Sequence, residues 1–187
     1  RGLGYNMAFA YNYNCDFVPF PWPPIGRVKS GLATYTCFDV KEAARVSLPV
    51  PFSWPVRAAN LKRCLLVERI PVKDTDKELV VVNLHLEAFD SGEGKIAQTK
   101  QLMHFLETEY QKGNYVIAGG DFNQAFEDTR RIYPVLNEHF WQPGELHNSD
   151  LPAGFRYVFD DSAPTCRSVN EPYSGVRSQT QLYVIDG

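Results

Sequence analysis

The stretch NYVIAGGDFN, residues 114–123, carries the pattern that decides the fold. Its apolar part, 115–118, has the length and composition of a short strand buried in a sheet. Two glycines follow, and they let backbone come close to a neighbouring strand or a ligand. Asp121 and Asn123 come next, and because strand side chains alternate between faces, we expect these two to point the same way. The stretch predicts a buried strand that ends in two oxygen-bearing side chains.

A second strand upstream, residues 79–84, also ends in polar residues. It is continuously apolar over most of its length, which is typical of a central strand covered on both faces. Asn83, His85 and Glu87 alternate with two leucines, so the three polar side chains are predicted to share a face. A histidine at a strand end is more often a hydrogen-bonded structural residue than a catalytic one, so His85 alone decides nothing.

A helix is predicted between these two strands, from Lys95 to Gln111. Apolar residues at seven-residue spacing, Ile96, Met103 and Tyr110, mark its buried face, and Leu102, Phe105 and Leu106 widen it. Further strands are predicted at residues 5–13, 31–38, 42–48, 64–70, 165–167 and 181–185, with a rigid proline-aromatic loop at 17–24 and irregular structure at 127–148. Strand pairs, one helix and then more strands predict an α/β fold with mixed sheets, and we expect 115–118 to lie beside 79–84 in one sheet.

Length and charge limit the classes of function. A chain of 187 residues predicts one domain, residues 1–187. The net charge is −3 and no basic stripe is present, so a small anionic substrate fits the chain better than tight binding to a long duplex does. The four cysteines form no CxxC pair, which disfavours a zinc ribbon or redox motif. An even count would permit disulfides, but the size of the chain favours buried free thiols.

Neither a membrane span nor a signal peptide is predicted. Both ends of the sequence look cut, because residue 1 is an arginine and the last residues read as an unfinished strand. Location is therefore left open between the cytoplasm and a membrane anchor supplied by a segment outside this chain. We expect a monomer.

Asp121 and Asn123 offer the oxygen ligands that a hard cation such as Mg²⁺ prefers. For an Asp-x-Asn sequence alone, capping of a turn is the commoner role. A zinc hydrolase built on His85 and Glu87 is disfavoured, because no HExxH or comparable ligand spacing occurs.

The combination of motifs is more specific than any one of them. VVNLHL (81–86), the helix and NYVIAGGDFN (114–123) together resemble the core of the endonuclease/exonuclease/phosphatase, or deoxyribonuclease I-like, superfamily. That core runs strand–His–helix–strand–GDxN. Four other segments resemble bacterial members of the superfamily: SGLAT (30–34), LKRCLL (61–66), PTCR (164–167) and VIDG (184–187).

The resemblance implies a two-sheet α/β sandwich of mixed sheets flanked by helices, incomplete at both ends. It implies a phosphoester hydrolase (a phosphodiesterase, phosphatase or nuclease) that attacks phosphate with a water assisted by Mg²⁺ or Mn²⁺. Asp121 and Asn123 would bind the metal or phosphate and orient the water. His85 would stabilise charge on a phosphate oxygen. Asp186 would orient a catalytic histidine. We expect these side chains to converge at one edge of the sandwich.

Asn83 and Arg63 are weaker candidates for substrate binding, since an arginine at a strand entry is usually part of an ion pair. The superfamily's main metal-ligating Glu and its Ser-Asp-His motif do not occur in these 187 residues. The resemblance therefore implies that this chain alone is incomplete as an enzyme. The substrate stays open between a small molecule and a nucleic acid. The alternative function is a non-catalytic binding module that retains the fold.

Overall fold

The computed structural model describes residues 4–19, 21–54, 60–89 and 92–187. They form two compact units, residues 1–119 and 120–187. The elements of the first unit are β1 (Asn6–Val18), β2 (Gly26–Thr36), β3 (Glu42–Ser47), β4 (Cys64–Pro71), β5 (Glu78–His85), helix α1 (Glu93–Gln111) and most of β6 (Tyr115–Asp121). The second unit contains β7 (Gln124–Phe126), β8 (Gly144–Leu146), β9 (Cys166–Arg167), β10 (Leu182–Tyr183) and the 3₁₀ helices Glu127–Arg131, Asn148–Asp150 and Arg177–Gln179.

The first unit is built on a four-stranded sheet with the order β3-β4-β5-β6. The predicted neighbours β5 and β6 do lie side by side in this sheet. Within the described strands β6 stands at the end of the order, so β4 and β5 have a strand on each side and β6 does not. Tyr115 and Ile117 are 60% and 59% exposed, so the prediction that 115–118 is a buried strand was wrong. Strands β3, β4 and β5 are antiparallel, as the hairpin sequence between β4 and β5 predicts.

A long hairpin, β1–β2, packs on one face of this sheet. At the turn end β1 runs to Val18 and β2 begins at Gly26, beyond the predicted segments 5–13 and 31–38, so the first residues of the predicted loop 17–24 belong to β1. Ala10 and Leu32 pack against Cys64 and Leu66 of β4 in one buried cluster. Gly31 permits this hairpin, because a Cβ atom there would lie 2.1 Å from the Ala10 carbonyl oxygen.

Helix α1 lies on the opposite face of the sheet, where the Arg69 side chain reaches it. Two residues predicted for its buried face are exposed: Ile96 by 54% and Tyr110 by 51%. Leu102, Met103 and Leu106 are buried as predicted, and the buried face also contains the polar residues Lys95, Gln98, Thr99 and Glu109. The seven-residue spacing misplaced Ile96 and Tyr110, because the polar side chains on the buried face find partners in the interior. The spacing of apolar residues does not reveal such partners.

The α/β class with mixed sheets is confirmed. The first unit has two packed sheets and a covering helix, as the resemblance implied. In the second unit β7 and β8 are parallel, and β9 and β10 are antiparallel. The single domain 1–187 stays a prediction. Within the part of the chain that the structure describes, no helix combines the length and apolarity needed to cross a membrane.

A buried ion pair joins helix α1 to the sheet. The Arg69 guanidinium donates to both carboxylate oxygens of Glu109, at 2.9 and 2.8 Å. Lys112 and Asn114 donate to the same carboxylate at 2.7 and 2.9 Å. These donors, Arg69 above all, lower the pKa of Glu109 to about 2.

We expect Glu109→Gln to lower the free energy of unfolding by about 2 kcal/mol at pH 7, because it removes the buried charge that accepts hydrogen bonds from Arg69, Lys112 and Asn114, while Arg69 keeps its ion pair with Glu78 at 3.0 Å. A carboxyl with a lowered pKa stabilises the fold above its unfolded pKa of about 4.3, and this contribution is lost as pH falls towards 2. Urea titrations between pH 3 and 7 should show that loss in the wild type but not in the variant. Glu107→Gln, an exposed change on the same helix, should alter neither the free energy of unfolding nor its pH dependence. Equal losses of unfolding free energy in the two variants would show that the ion pair of Glu109 is not the cause.

Glu68 is the opposite case, a buried carboxylate without a partner. It lies in the middle of β4, is 1% exposed, and neither of its oxygens has a hydrogen-bond partner among the described residues. Its cross-strand neighbours on this face are Ala43 and Val81. Burial among such groups raises the pKa of the Glu68 carboxyl.

A carboxyl whose pKa is raised by folding leaves the protein most stable below its unfolded pKa, and stability falls as pH rises through the folded pKa. We therefore expect Glu68→Met to raise the free energy of unfolding by about 2 kcal/mol at pH 7 and by less at pH 4. Thermal unfolding at the two pH values measures this, with the exposed Glu42→Gln on β3 as control. A variant destabilised equally at both pH values would show that Glu68 is stabilised in the fold.

Candidate functional site

The second unit places two carboxylates opposite each other. Gly120 and Gly187 exchange backbone hydrogen bonds at 2.9 and 3.2 Å, and the Phe122 N–H donates to the Ile185 carbonyl at 2.9 Å. Asp121 and Asp186 form the antiparallel pair between these bonds. They exchange no hydrogen bonds, and in such pairs the Cα atoms lie about 4.5 Å apart with the side chains on one face.

Asn123 joins Asp121 through a turn rather than through strand alternation. Strand β6 ends at Asp121, whose Oδ1 accepts the Asn123 backbone N–H at 2.8 Å. Asn123 is buried and has φ 51°, in the left-handed region that Asn tolerates better than most residues. The alternation used to predict a shared face therefore does not reach Asn123. The turn-capping role is present, and it fixes the Asp121 carboxylate next to the Asn123 backbone.

Cys166 lies close to both carboxylates. It pairs with Tyr183 in the β9–β10 ladder and is half-buried. Burial raises the pKa of the Cys166 thiol, and the charges of Asp121 and Asp186 raise it further. The sequence predicted buried free thiols; all four cysteines are free, but only Cys64 is buried, and nothing in the spacing placed Cys166 beside the aspartates.

The donor chemistry of this group fits a hard divalent cation. Two carboxylates and an amide supply oxygen ligands, and Mg²⁺ commonly keeps several waters beside one or two carboxylates. Like charges that face each other across a strand pair destabilise the pair, and a cation between them would relieve that repulsion. Among the described residues, no group of three or more His, Cys, Asp or Glu side chains is arranged as a metal centre.

The C-terminal end of β5, which carries His85, lies in the first unit. His85 is the last residue of β5 and is half-buried. Asn83 shares its face and donates to the Ala33 carbonyl and to Thr34 Oγ1, at 3.1 and 3.2 Å. These bonds tie the sheet to the hairpin, which gives Asn83 a structural role and does not favour the predicted contact with substrate.

Glu87 and Arg63 are buried close to each other in the first unit. Strand β5 ends before Glu87, so the predicted shared face with His85 does not extend to it. Glu87 is buried, and its Oε1 accepts the backbone N–H groups of Ala88 and Phe89 at 3.1 and 3.3 Å. The Arg63 side chain is buried with its Nε 3.8 Å from Glu87 Oε2. The prediction that Arg63 binds substrate is not favoured, because its guanidinium faces this carboxylate in the interior.

The structure thus brings together Asp121, Asn123 and Asp186, three of the four residues predicted to converge. They are adjacent because the backbone of residues 185–187 pairs with that of residues 120–122. His85 lies in the other unit, and its convergence with them stays a prediction.

No protein-family model and no curated protein match the chain. Solved structures that resemble it include the catalytic domain of human Nocturnin with bound sulfate, at 19% identity and a TM-score of 0.48, covering 66% of this chain and 44% of that one. An endonuclease/exonuclease/phosphatase from Beutenbergia cavernae has 19% identity and a TM-score of 0.45, with 64% and 30% covered. ANGEL2, a 2′,3′-cyclic phosphatase, has 17% identity and a TM-score of 0.46, with 66% and 34% covered.

These structures are members of the superfamily that the sequence motifs resemble. The chain spans less than half the length of each of them. A human and a bacterial protein are both among them, so the likeness to bacterial members stays a prediction. Because all three TM-scores lie below 0.5, the case for an activity rests on this chain's own side chains.

Cys166 gives a direct test of the carboxylate pair. We expect Asp121→Asn and Asp186→Asn each to lower the pKa of the Cys166 thiol, since each removes a nearby negative charge, and to speed its alkylation at pH 8. The rates are measured with iodoacetamide in a Cys15→Ser, Cys37→Ser background, where the remaining cysteine, Cys64, is buried. Asp161→Asn removes an exposed charge from the same unit and should leave the rate unchanged. An unaltered rate in both site variants would mean that the carboxylates do not face the thiol.

Proposed function

We propose that Asp121, Asn123 and Asp186 belong to the site of a phosphoester hydrolase that uses Mg²⁺ or Mn²⁺ and a metal-assisted water. The observation that carries this proposal is the pairing of Asp121 with Asp186 beside the buried Asn123. Such a pair gathers negative charge at one point, which attracts a divalent cation. In phosphoester hydrolysis a bound cation can stabilise charge on the phosphate and activate the attacking water.

The proposed roles of Asp121, Asn123 and Asp186 are supported by their placement, and that of His85 rests on the resemblance alone. Asp121 has a carboxylate held by the Asn123 backbone, so it presents oxygen to a cation in a fixed direction. Asn123 adds an amide that can bind phosphate or hold the attacking water. Asp186, on the facing strand, would orient an imidazole and stabilise its charged form. His85 would hydrogen-bond a phosphate oxygen as charge develops there.

A bound Mg²⁺ or Mn²⁺ would supply charge stabilisation at the phosphate and acidify a water at its side. Asp121 and Asn123 are the residues proposed to hold it. The other residues of the site would orient the substrate and exclude bulk water. Asn123 would contribute to the exclusion of water because it is buried.

The proposed substrate is a phosphoester, either a small molecule or a nucleic acid. The net charge of −3 favours a small phosphoester, because neutralising many phosphates of a duplex calls for a basic surface. We propose a monomer, located in the cytoplasm or held at a membrane by an anchor outside this chain.

A non-catalytic binding module with the same fold is the second candidate. It is favoured by the structural engagement of several polar residues that the sequence motifs contain. Asn83 is bound to the hairpin, Arg63 faces Glu87, and one oxygen of Asp121 caps a turn. A module of this kind would bind a phosphoester without turning it over, so the two candidates differ in one measurable property.

That property is turnover, measured as hydrolysis of bis-p-nitrophenyl phosphate by the wild-type protein with and without Mg²⁺. We expect chelation with EDTA to abolish turnover, and Asp121→Asn to lower kcat by about 10²–10³, the usual effect of removing one group that stabilises a transition state. Asp161→Asn, exposed and outside the site, serves as the matched control. Binding of a phosphoester with no turnover under any condition would favour the module, and turnover that survives Asp121→Asn would contradict the proposed site.

A further inference from the structure

The strand that carries Asp186 changes its hydrogen-bonding partner just before that residue. Its ladder with β9 runs as far as the pair Tyr183–Cys166. Two residues later the Ile185 carbonyl accepts the Phe122 N–H at 2.9 Å, and Gly187 exchanges bonds with Gly120. The position of Asp186 therefore depends on how the chain is held where it leaves β9.

Thr165 holds the chain at this point. Its backbone N–H donates to the Tyr183 carbonyl at 2.9 Å, and its Oγ1 accepts the Ile185 N–H at 3.0 Å. Thr165 thus bonds the chain on both sides of Val184. On its other side Ile185 is bonded through its carbonyl to Phe122, so the two backbone groups of Ile185 are fixed in opposite directions.

We propose that Thr165 is a positioning residue for the site: its hydroxyl guides the strand from β9 to the end of β6 and so sets Asp186 opposite Asp121. The inference deepens the proposed function and rests on it for its catalytic consequence. The assignment of the hydroxyl itself rests on the hydrogen bonds of Ile185 alone.

The hydroxyl oxygen, and not the bulk of the side chain, is what the geometry uses. Ile185 is 3% exposed, so its N–H requires an acceptor within the protein. Thr165 itself is exposed, so its methyl group adds little to the core. Thr165→Val keeps the shape and removes the acceptor, whereas Thr165→Ser keeps the acceptor and removes the methyl group.

Amide hydrogen exchange of the natural protein tests the placement. In Thr165→Val we expect exchange at Ile185, Phe122 and Gly187 to accelerate at least tenfold, because the strand end loses one of its two anchors. Thr165→Ser should restore protection. The Ser168 N–H, which donates to the Gln181 carbonyl within the β9–β10 ladder, is the internal control and should stay protected in both variants.

Hydrolysis of bis-p-nitrophenyl phosphate tests the catalytic consequence. Thr165→Val should lower kcat tenfold or more with KM unchanged, and Thr165→Ser should recover most of the wild-type kcat. Thr180→Val is the matched control, because Thr180 Oγ1 donates to the Val176 carbonyl in the same unit away from the aspartates, and it should leave kcat unaltered.

The outcomes separate this inference from the proposed function. Unchanged exchange at Ile185 in Thr165→Val overturns the assignment of the hydroxyl, whatever the activity. Faster exchange with full kcat overturns the catalytic consequence. Faster exchange in Thr165→Val, reversed by Thr165→Ser, supports the placement of Asp186 even if the wild type shows no turnover, a result that would count against the proposed function alone.

Discussion

The candidate site depends on one short piece of backbone pairing, three residues of β6 and its continuation against the last three residues of the chain. The bonds of Gly120 with Gly187 and of Phe122 with Ile185 leave Asp121 and Asp186 as a pair without hydrogen bonds between them. In this kind of pair the side chains are closest, which brings two negative charges together. The backbone hydrogen bonds on either side can hold this pair in place, because they form between main-chain groups and do not involve the charged side chains.

Two buried carboxyl groups of the first unit, Glu109 and Glu68, lie in different electrostatic environments. Glu109 collects donors from Arg69, Lys112 and Asn114, which makes its ionised form a stabilising element between helix and sheet. Glu68 sits on the other face of the same sheet with no partner for either oxygen among the described residues. Both carboxyls are buried, and their pKa values are shifted in opposite directions: hydrogen bonds from Arg69 above all lower that of Glu109, and burial raises that of Glu68.

The same distinction separates site residues from structural ones. Asn83, Arg63 and Glu87 look like functional groups in the sequence, yet each meets a partner inside the first unit. Asp121 and Asp186 form a pair across two backbone segments, and the nearby Cys166 thiol is affected by both charges. Polar groups that satisfy one another stabilise a fold, whereas gathered like charges call for a ligand or a counter-ion.

Much of the local structure follows from the sequence alone. The apolar runs in β4, β5 and β6, the hairpin between β4 and β5 and the existence of α1 are expressed in periodicity and turn residues close together in the chain. The tertiary structure decided the pairing of Asp186 with Asp121, the burial of Arg63 against Glu87 and the polar buried face of α1. Spacing within one segment shows where side chains point, but strand register and the partner of a polar group are set by contacts between segments far apart in the chain.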